Sequence, residues 1–418
     1  MYALVDCNNF YASCERAFNP SLQKMPIAIL SNNDGCVISR SDEAKIIGLP
    51  MGAPAFKFEK FFKDNTIQVF SSNYPLYGDM SSRVMSILKQ FSPDVEVYSI
   101  DEAFLQFKGF DSCDFDAYGK EIRNRVLKWT GLPTCVGIAP TKALSKVANK
   151  IARKFPNETQ GCYVIDTEEK RIKALKWIKL KDVWGIGRGI QKRLAIKNCK
   201  TAYDFTQLPS DWVKKNFSIT EWKLKKDLEG ISKIALDEVK SKQAIATTRS
   251  FECTFSDIEN IKERISTFAT SCAEKLRKQG SSCHIIIVLL SSDRHKKELT
   301  QHRASNSVSL SYPTDSSLII SNNAVNAIQK IYKRGIKYKR AGVIVTGLVP
   351  TDNHQLHLFE NENPKHKPLM HTIDKLNTKY GDYKLKLGNQ DLERTWKMRQ
   401  ERLSPKYTTQ LNDIIKIK

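Results

Sequence analysis

Two adjacent carboxylates interrupt a strand-like pattern at residues 97–104, and this feature constrains the fold most strongly. Apolar and polar residues alternate up to Ile100, Asp101 and Glu102 follow, and an apolar run then resumes. Such alternation predicts a half-buried strand, but neighbouring buried acids repel each other and lose hydration. A bound cation would offset both the repulsion and the lost hydration. The stretch therefore predicts either a hairpin that presents carboxylate oxygens to a metal or a solvated hairpin tip.

A third acid, Asp6, ends the apolar segment 2–5 near the amino terminus. If this first strand lies beside the hairpin, three carboxylates converge at one edge of one sheet. Oxygen donors of this kind suit Mg²⁺, which takes few protein carboxylates and keeps positions for phosphate oxygens and water. The alternative interpretation makes Asp6 a helix cap.

The chain is strongly basic, with 67 Lys and Arg against 45 Asp and Glu and a formal net charge of +22. This excess indicates a polyanionic partner, nucleic acid before an anionic membrane, because no apolar stretch suits a membrane span. The ten cysteines form no CxxC pair and no signal peptide is visible, which predicts a reducing, cytoplasmic location. All seven histidines lie at or after position 284, so the front half has no histidine for Ser-His-Asp catalysis. Its carboxylates, lysines and hydroxyls are the groups used in metal-assisted phosphoryl transfer.

The order of predicted elements indicates an α+β protein of several domains, in keeping with 418 residues. The first part predicts a split βαβ, ferredoxin-like sheet with an insertion at residues 23–74. From about residue 166 the pattern becomes helical with short loops. After a basic tether at 240–246, a second βαββαβ pattern with many lysines and arginines runs to about residue 350 and predicts a nucleic-acid-binding domain.

Three lysines recur at four-residue spacing on a helix for which Thr141 is the predicted N-cap. Lys142, Lys146 and Lys150 would form a basic ridge on one helix face. Such a ridge is usually a solvated face, but beside the metal edge it could reach a triphosphate.

Two glycines bracket one apolar residue in the helical region and precede a basic helix. Gly185, Gly187 and Arg188 predict a helix-hairpin-helix turn, whose backbone N–H groups would bind a DNA phosphate without reading bases. The tail from about residue 351 is polar and contains one short apolar segment, formed by Gln355, Leu356, Leu358 and Phe359. That segment predicts a docking peptide or local packing.

Several stretches, in this order, resemble the UmuC branch of the Y family of translesion DNA polymerases. The resemblance covers nearly the whole chain and rests on residues 6–15, 31–38, 71–74, 98–104, 182–188 and 403–409. It implies a right-hand architecture with a palm at 1–22 and 75–165, fingers at 23–74, a helix-hairpin-helix thumb at 166–239, a little finger at 240–350 and a tail at 351–418.

The resemblance also implies residue roles. The implied metal ligands are Asp6, Cys7 through its backbone carbonyl, Asp101 and Glu102, of which the three acids are catalytic. The implied nucleotide contacts are Phe10, Tyr11, Ser39, Lys45 and Lys146, with Tyr11 as the steric gate against a 2′-hydroxyl. The implied DNA contacts are Gly185, Gly187, Arg188 and Arg249, and the implied clamp-binding residues are Gln355, Leu356, Leu358 and Phe359. Two positions depart from many relatives outside the UmuC branch, which carry arginine in place of Lys45 and often tyrosine in place of Asp42.

The function implied is an error-prone, template-directed DNA polymerase of the SOS damage response that uses two Mg²⁺ ions. Its implied partners are primer–template DNA, dNTPs, a processed UmuD-like dimer, RecA and a sliding clamp. Two alternatives remain open from the residues: a non-catalytic, clamp-tethered DNA-binding scaffold on a polymerase fold, and another metal-dependent nucleotidyl transferase or cyclase.

Overall fold

The computed structural model describes residues 1–110, 112–238, 241–296, 298–352, 363–381, 384–390 and 398–415. The chain divides into two compact units, Met1–Glu238 with Gln400–Lys418, and Val239–Arg399. The predicted docking segment 355–359 lies outside the described residues. None of the helices in the described ranges is both long enough and apolar enough to cross a membrane.

The strands within the described residues are β1 (Tyr2–Cys7), β2 (Ile27–Leu30), β3 (Val37–Arg40), β4 (Gln68–Ser71), β5 (Asp94–Val97), β6 (Glu102–Gln106), β7 (Thr134–Ala139), β8 (Cys162–Val164), β9 (Ala244–Phe255), β10 (Ser281–Ser292), β11 (Arg303–Thr314) and β12 (Tyr338–Pro350). The α-helices there are α1 (Phe10–Phe18), α2 (Asp42–Ile46), α3 (Ala55–Asp64), α4 (Tyr74–Leu88), α5 (Phe115–Thr130), α6 (Lys142–Lys154), α7 (Pro156–Thr159), α8 (Glu168–Trp177), α9 (Arg188–Ala195), α10 (Ala202–Gln207), α11 (Ser210–Asn216), α12 (Ile219–Leu228), α13 (Ile258–Gln279), α14 (Ser317–Ile331) and α15 (His366–Tyr380).

A five-stranded sheet with the order β5-β6-β1-β7-β8 forms the centre of the first unit. The central strand β1 pairs antiparallel with β6 and β7, and only β7 and β8 run parallel. Five of the six β1 residues are buried, which explains its nearly continuous apolar sequence. The sheet packs with α4 and α5 in one hydrophobic core, which includes Leu76, Phe107 and Val126.

A separate three-stranded sheet with the order β3-β2-β4 is inserted between α1 and α4. It has its own small core, which includes Leu30, Leu49 and Phe62. Between β2 and β3 the chain forms a short 3-10 turn, Asn32–Asp34, in which Asn33 and Asp34 both have positive φ. The chain then returns through β4 to α4, so the insertion lies directly after α1 and directly before α4.

The helical region contains the predicted glycine turn, but its first arm is shorter than expected. The element before the turn is a 3-10 turn, Leu180–Asp182, and α9 follows with Gly187 as its N-cap. Lys179, directly before this 3-10 turn, is extended and forms a β-bridge with Thr201. Gly185 has φ of +82°, a backbone conformation that favours glycine.

The second unit contains the predicted βαββαβ arrangement. Its antiparallel sheet has the order β11-β10-β12-β9, and α13 and α14 pack on it around a single core. Residues of α15 and the segment 384–390 add to this unit; for example, Arg277 on α13 donates to Asp374 on α15.

Candidate active site

The three predicted acids lie where β1 and β6 end. Asp6 pairs directly with Glu102 across the antiparallel ladder, and the Cys7 N–H donates to the Asp101 carbonyl at 2.9 Å. Residues directly opposite each other in such a ladder point to the same face, with Cβ atoms about 4.5–5.5 Å apart. The Asp6 and Glu102 side chains therefore share one face of the sheet, with Asp101 next to them along the chain.

Each acid has a different partner. The Lys146 ammonium lies 2.7 Å from Glu102 Oε2, and the Arg153 guanidinium lies 3.3 Å from Asp6 Oδ1. The Ser99 hydroxyl donates to Asp101 Oδ1 at 2.5 Å. In the part of the chain that the structure describes, no group of three or more His, Cys, Asp or Glu side chains is arranged so that it could hold a metal ion.

The electrostatics of Asp6 test whether a cation fits here. Burial raises the pKa of Asp6 to about 7, Arg153 opposes this shift, and the charges of Asp101 and Glu102 add to it. The three acids thus repel one another at a poorly hydrated sheet edge, and a divalent cation would remove that repulsion. Carboxylate oxygens of this kind suit a hard divalent cation, so Asp6, Asp101 and Glu102 are candidate ligands.

The thiol of Cys7 is not suited to bind a hard metal cation. Its side chain is buried, and burial raises the pKa of the Cys7 thiol well above its usual value, followed by the effect of Asp6. A thiol that stays protonated is a poor ligand for a hard cation.

Lys146 is fixed by aromatic rings as well as by Glu102. Its ammonium lies 4.4 Å from the ring centre of Tyr98, 5.4 Å from that of Phe104 and 5.6 Å from that of Trp184. The Trp184 indole N–H donates to the Tyr98 hydroxyl at 3.0 Å. The turn that leads to α9 is therefore connected to the acid-bearing hairpin through Tyr98, and Lys146 lies between the two.

Two further cations meet at Asn9, which precedes α1 with φ of +50°. The Arg153 guanidinium donates to Asn9 Oδ1 at 2.8 Å, and the Lys45 ammonium donates to the same oxygen. Lys45 also pairs with Asp42 at 2.8 Å. Sequence reasoning missed Arg153, although it lies seven residues, about two helical turns, beyond Lys146 and so shares its helix face.

The other predicted nucleotide residues surround the start of α1. Phe10 is buried in the core, whereas Tyr11 is partly buried, and its ring stacks on Tyr77 with centroids 4.4 Å apart. Burial raises the pKa of the Tyr11 hydroxyl, with smaller contributions from Tyr74 and Asp101. Ser39 lies on β3, paired with β2. Of the three acids, Asp101 thus affects the pKa of Tyr11, and Lys45 contacts Asn9 directly before the same helix.

The predicted DNA contacts lie on exposed backbone and side chains. Gly185, Gly187 and Arg188 are exposed, and a Cβ at Gly187 would meet no atom within 4 Å. The N–H groups that begin α9 are thus accessible to a phosphate. Arg249 is exposed on β9 of the second unit.

Comparisons with known proteins match the chain along most of its length. Residues 5–150 match the impB/mucB/samB family, residues 242–358 match the C-terminal domain of that family, and residues 367–417 match a domain of unknown function, DUF4113. Protein UmuC of Salmonella typhimurium strain LT2 is 39% identical, over 100% of both chains. Protein ImpB of Salmonella typhimurium is 36% identical, over 99% of both chains.

The fold also matches a solved structure, a Y-family DNA polymerase chimera of Dbh and Dpo4. The TM-score is 0.67 at 19% identity, with 83% of this chain and 99% of that chain covered. This likeness confirms the predicted multidomain α+β polymerase fold, and the full-length similarity to UmuC confirms the predicted branch. The chain belongs to the impB/mucB/samB family, alongside UmuC, and has the fold of the Y-family DNA polymerases.

Proposed function

We propose that this chain is an error-prone translesion DNA polymerase of the SOS damage response. It adds deoxynucleotides to a primer 3′-hydroxyl under the direction of a template, and the acids at the β1–β6 edge form its catalytic site. The proposal rests on one observation: Asp6 and Glu102 are cross-strand partners with Asp101 adjacent, in a chain of this family. Family membership indicates use of a divalent metal, and Mg²⁺ is the proposed ion because the ligands are carboxylates.

When bound, Mg²⁺ would lower the pKa of the primer 3′-hydroxyl and offset charge on the leaving pyrophosphate. The protein's own contribution is positioning and charge. Lys146 and Arg153 already lie against Glu102 and Asp6, so a triphosphate that reached this edge would meet both cations. Lys45, Ser39 and the backbone N–H groups of Phe10 and Tyr11 complete the proposed phosphate contacts.

The domain assignment is part of the same proposal. The five-stranded sheet belongs to the palm, the inserted sheet to the fingers and the helical region to the thumb. Residues 240–350, which lie within the second unit, form the little finger, and the tail begins at residue 351. The first N–H groups of α9 and the Arg188 side chain bind a DNA phosphate, and Arg249 contacts DNA from the second unit. Small fingers enclose the nascent base pair loosely, which accounts for low fidelity and tolerance of damaged templates.

The proposed partners follow from the resemblance to the UmuC branch. They are primer–template DNA and dNTPs, a processed UmuD-like dimer, RecA, and a sliding clamp bound by Gln355, Leu356, Leu358 and Phe359. A cytoplasmic location is proposed because all ten cysteines are free thiols, as expected in a reducing compartment.

The test is primer extension by Asp101→Asn, with Mg²⁺ and with the UmuD-like partner and RecA supplied. The substitution removes one carboxylate but keeps an oxygen for the Ser99 hydroxyl. We expect extension to fall by at least about 10²-fold, the effect of losing one well-placed charged group, with primer–template affinity unchanged.

The matched control is Asp94→Asn, an exposed acid on β5 of the same hairpin. It should keep wild-type extension. Full extension by Asp101→Asn would remove these acids from catalysis. A wild-type complex that binds primer–template but never extends it would instead support the scaffold alternative.

A further inference from the structure

A C-terminal strap, defined here as residues 400–407, packs along the inserted sheet and the start of α4. The Ser71 N–H at the end of β4 donates to the Arg402 carbonyl at 2.9 Å, and the Arg402 N–H donates to Ser71 Oγ at 3.0 Å. Farther along, the Tyr407 ring stacks on Phe18 of α1 with centroids 5.0 Å apart. The strap is therefore fixed at both ends to elements around the proposed nucleotide site.

Between these ends, the strap accepts hydrogen bonds from the fully buried side chain of Asn73 at the start of α4. The Asn73 amide nitrogen lies 2.9 Å from Ser404 Oγ, 3.2 Å from the Ser404 carbonyl and 3.1 Å from the Pro405 carbonyl. The Asn73 side-chain oxygen Oδ1 caps α4 by accepting from the Leu76 N–H. One asparagine thus joins the strap to the helix that holds Tyr77.

The same Ser404 hydroxyl donates to a buried acid. Ser404 Oγ lies 3.0 Å from Glu15 Oε1, and the Tyr77 hydroxyl donates to the same oxygen at 2.7 Å. Burial raises the pKa of the Glu15 carboxyl, and the hydrogen bonds from Tyr77 and Ser404 oppose that shift. A buried carboxylate that accepts from two hydroxyls loses one of its hydrogen bonds when either hydroxyl is removed, and water does not replace that bond.

These contacts lead to the ring of Tyr11. Tyr77 stacks on Tyr11 with an interplanar angle of 16°, and Tyr74 meets the Tyr11 ring edge-on at 6.2 Å. Glu15 lies four residues after Tyr11 on α1, so the two side chains share a helix face. Tyr77 is held by its ring against Tyr11 and by its hydroxyl against Glu15.

We propose that the strap is a positioning element for sugar selection, in which Ser404 acts through Glu15 and Tyr77 to fix the Tyr11 ring. This inference rests on the proposed role of Tyr11 as the steric gate. None of Ser404, Glu15 and Tyr77 contacts the three acids in the structure described. The strap therefore sets the ratio of deoxynucleotide to ribonucleotide incorporation more than the rate of deoxynucleotide addition.

The first experiment measures kcat/KM for one dNTP and for the matching rNTP opposite the same template base. Ser404→Ala should lower the ratio of the two values about three- to tenfold, the equivalent of one buried hydrogen bond. Tyr77→Phe keeps the stacked ring but removes its hydroxyl, and should lower the ratio similarly. Ser82→Ala, at an exposed position on the same helix α4, is the control and should leave the ratio unchanged.

A ratio of two substrates is independent of the fraction of active protein, so partial misfolding cannot imitate this result. Tyr11→Ala alone should lower the ratio more than Ser404→Ala. The double variant should show only the Tyr11→Ala effect, because the strap would have no ring left to position.

Two failures are distinguishable. An unchanged ratio in Tyr11→Ala would remove the steric gate and with it this part of the proposed function. A lowered ratio in Tyr11→Ala with unchanged ratios in both Ser404→Ala and Tyr77→Phe would overturn the strap's role and leave the gate in place. Fully additive losses in the double variant would also overturn it.

Discussion

Two ion pairs between the same helix and the same hairpin differ in burial and, we infer, in role. Lys142 and Lys146 lie one turn apart on α6, and each ammonium lies 2.7 Å from a carboxylate oxygen, of Glu96 on β5 and Glu102 on β6 respectively. The Lys142 and Glu96 side chains are 1% and 7% exposed, whereas those of Lys146 and Glu102 are 15% and 18% exposed. The two N–O distances are equal, so the pairs differ in how accessible their charged groups are to water and to other ligands.

The inner pair is closed by further hydrogen bonds. Lys142 also donates to the Ala235 carbonyl at 3.1 Å, and Glu96 Oε2 also accepts from the Asp237 N–H at 2.7 Å. These bonds join the hairpin to the segment that follows α12. An ion pair enclosed in this way has little opportunity to exchange partners. The outer pair is partly exposed and its Glu102 is paired with Asp6 across the sheet. Under the proposed function, Glu102 would bind the metal and Lys146 the triphosphate.

A third lysine extends the series to the surface. Lys150, one further turn along α6, lies 3.0 Å from Asp182, and their side chains are 41% and 36% exposed. Besides the Arg153–Asp6 pair, the helix thus carries three lysine–carboxylate ion pairs at three levels of burial. Substitution of each lysine in turn separates the effect of burial from that of distance.

Lys142→Met should have the largest effect on stability. It leaves Glu96 buried without its cation, which typically lowers the free energy of unfolding by about 3–5 kcal/mol. Denaturant unfolding of the purified full chain measures the loss. Extension per active site, counted by primer–template titration, should stay near the wild-type value.

The control for this change is the double variant Lys142→Met/Glu96→Leu. Apolar side chains of similar size commonly replace a buried ion pair at little or no loss of stability, so the double variant should regain most of what the single one loses. A single variant as stable as the wild type would mean that the inner pair is not a structural contact.

Lys146→Ala should instead act mainly on nucleotide binding. Loss of one charged contact to the triphosphate should raise KM for the incoming dNTP about tenfold. The loss of stability should be smaller than that of Lys142→Met, because water reaches both Lys146 and Glu102. Lys154→Ala, at an exposed position on the same helix, is the matched control. An unchanged KM in Lys146→Ala would remove it from the proposed phosphate contacts.

The sequence predicted correctly which helix and which hairpin carry these charged residues. It predicted less well which of the charged side chains are buried. Thr141 does cap α6, and Asp6 does lie beside the hairpin, because caps and alternating patterns are local signals. The interpretation of the lysine ridge as a solvated face was wrong for Lys142. The apolar residue that begins the predicted strand pattern, Val97, is half exposed, whereas the acid before it, Glu96, is buried.

The missed contacts have a common physical reason, which is separation along the chain. Glu15 is 62 residues from Tyr77 and 389 residues from Ser404, so no local spacing indicates that they meet. A lone glutamate within a short helix reads as a surface residue. Only packing of the strap against α1 and α4 shows that its carboxylate is buried.

Lys150→Ala should have the smallest effect. An ion pair this exposed typically contributes between about 0 and 1 kcal/mol to the free energy of unfolding, because water already solvates both groups. Whatever it contributes should disappear in roughly 1 M salt, where the Debye length is about 3 Å. The loss in Lys142→Met should persist there, because the buried pair is shielded from ions. Denaturant unfolding at low and high salt compares the two variants, and equal losses at both salt concentrations would show that burial does not distinguish these ion pairs.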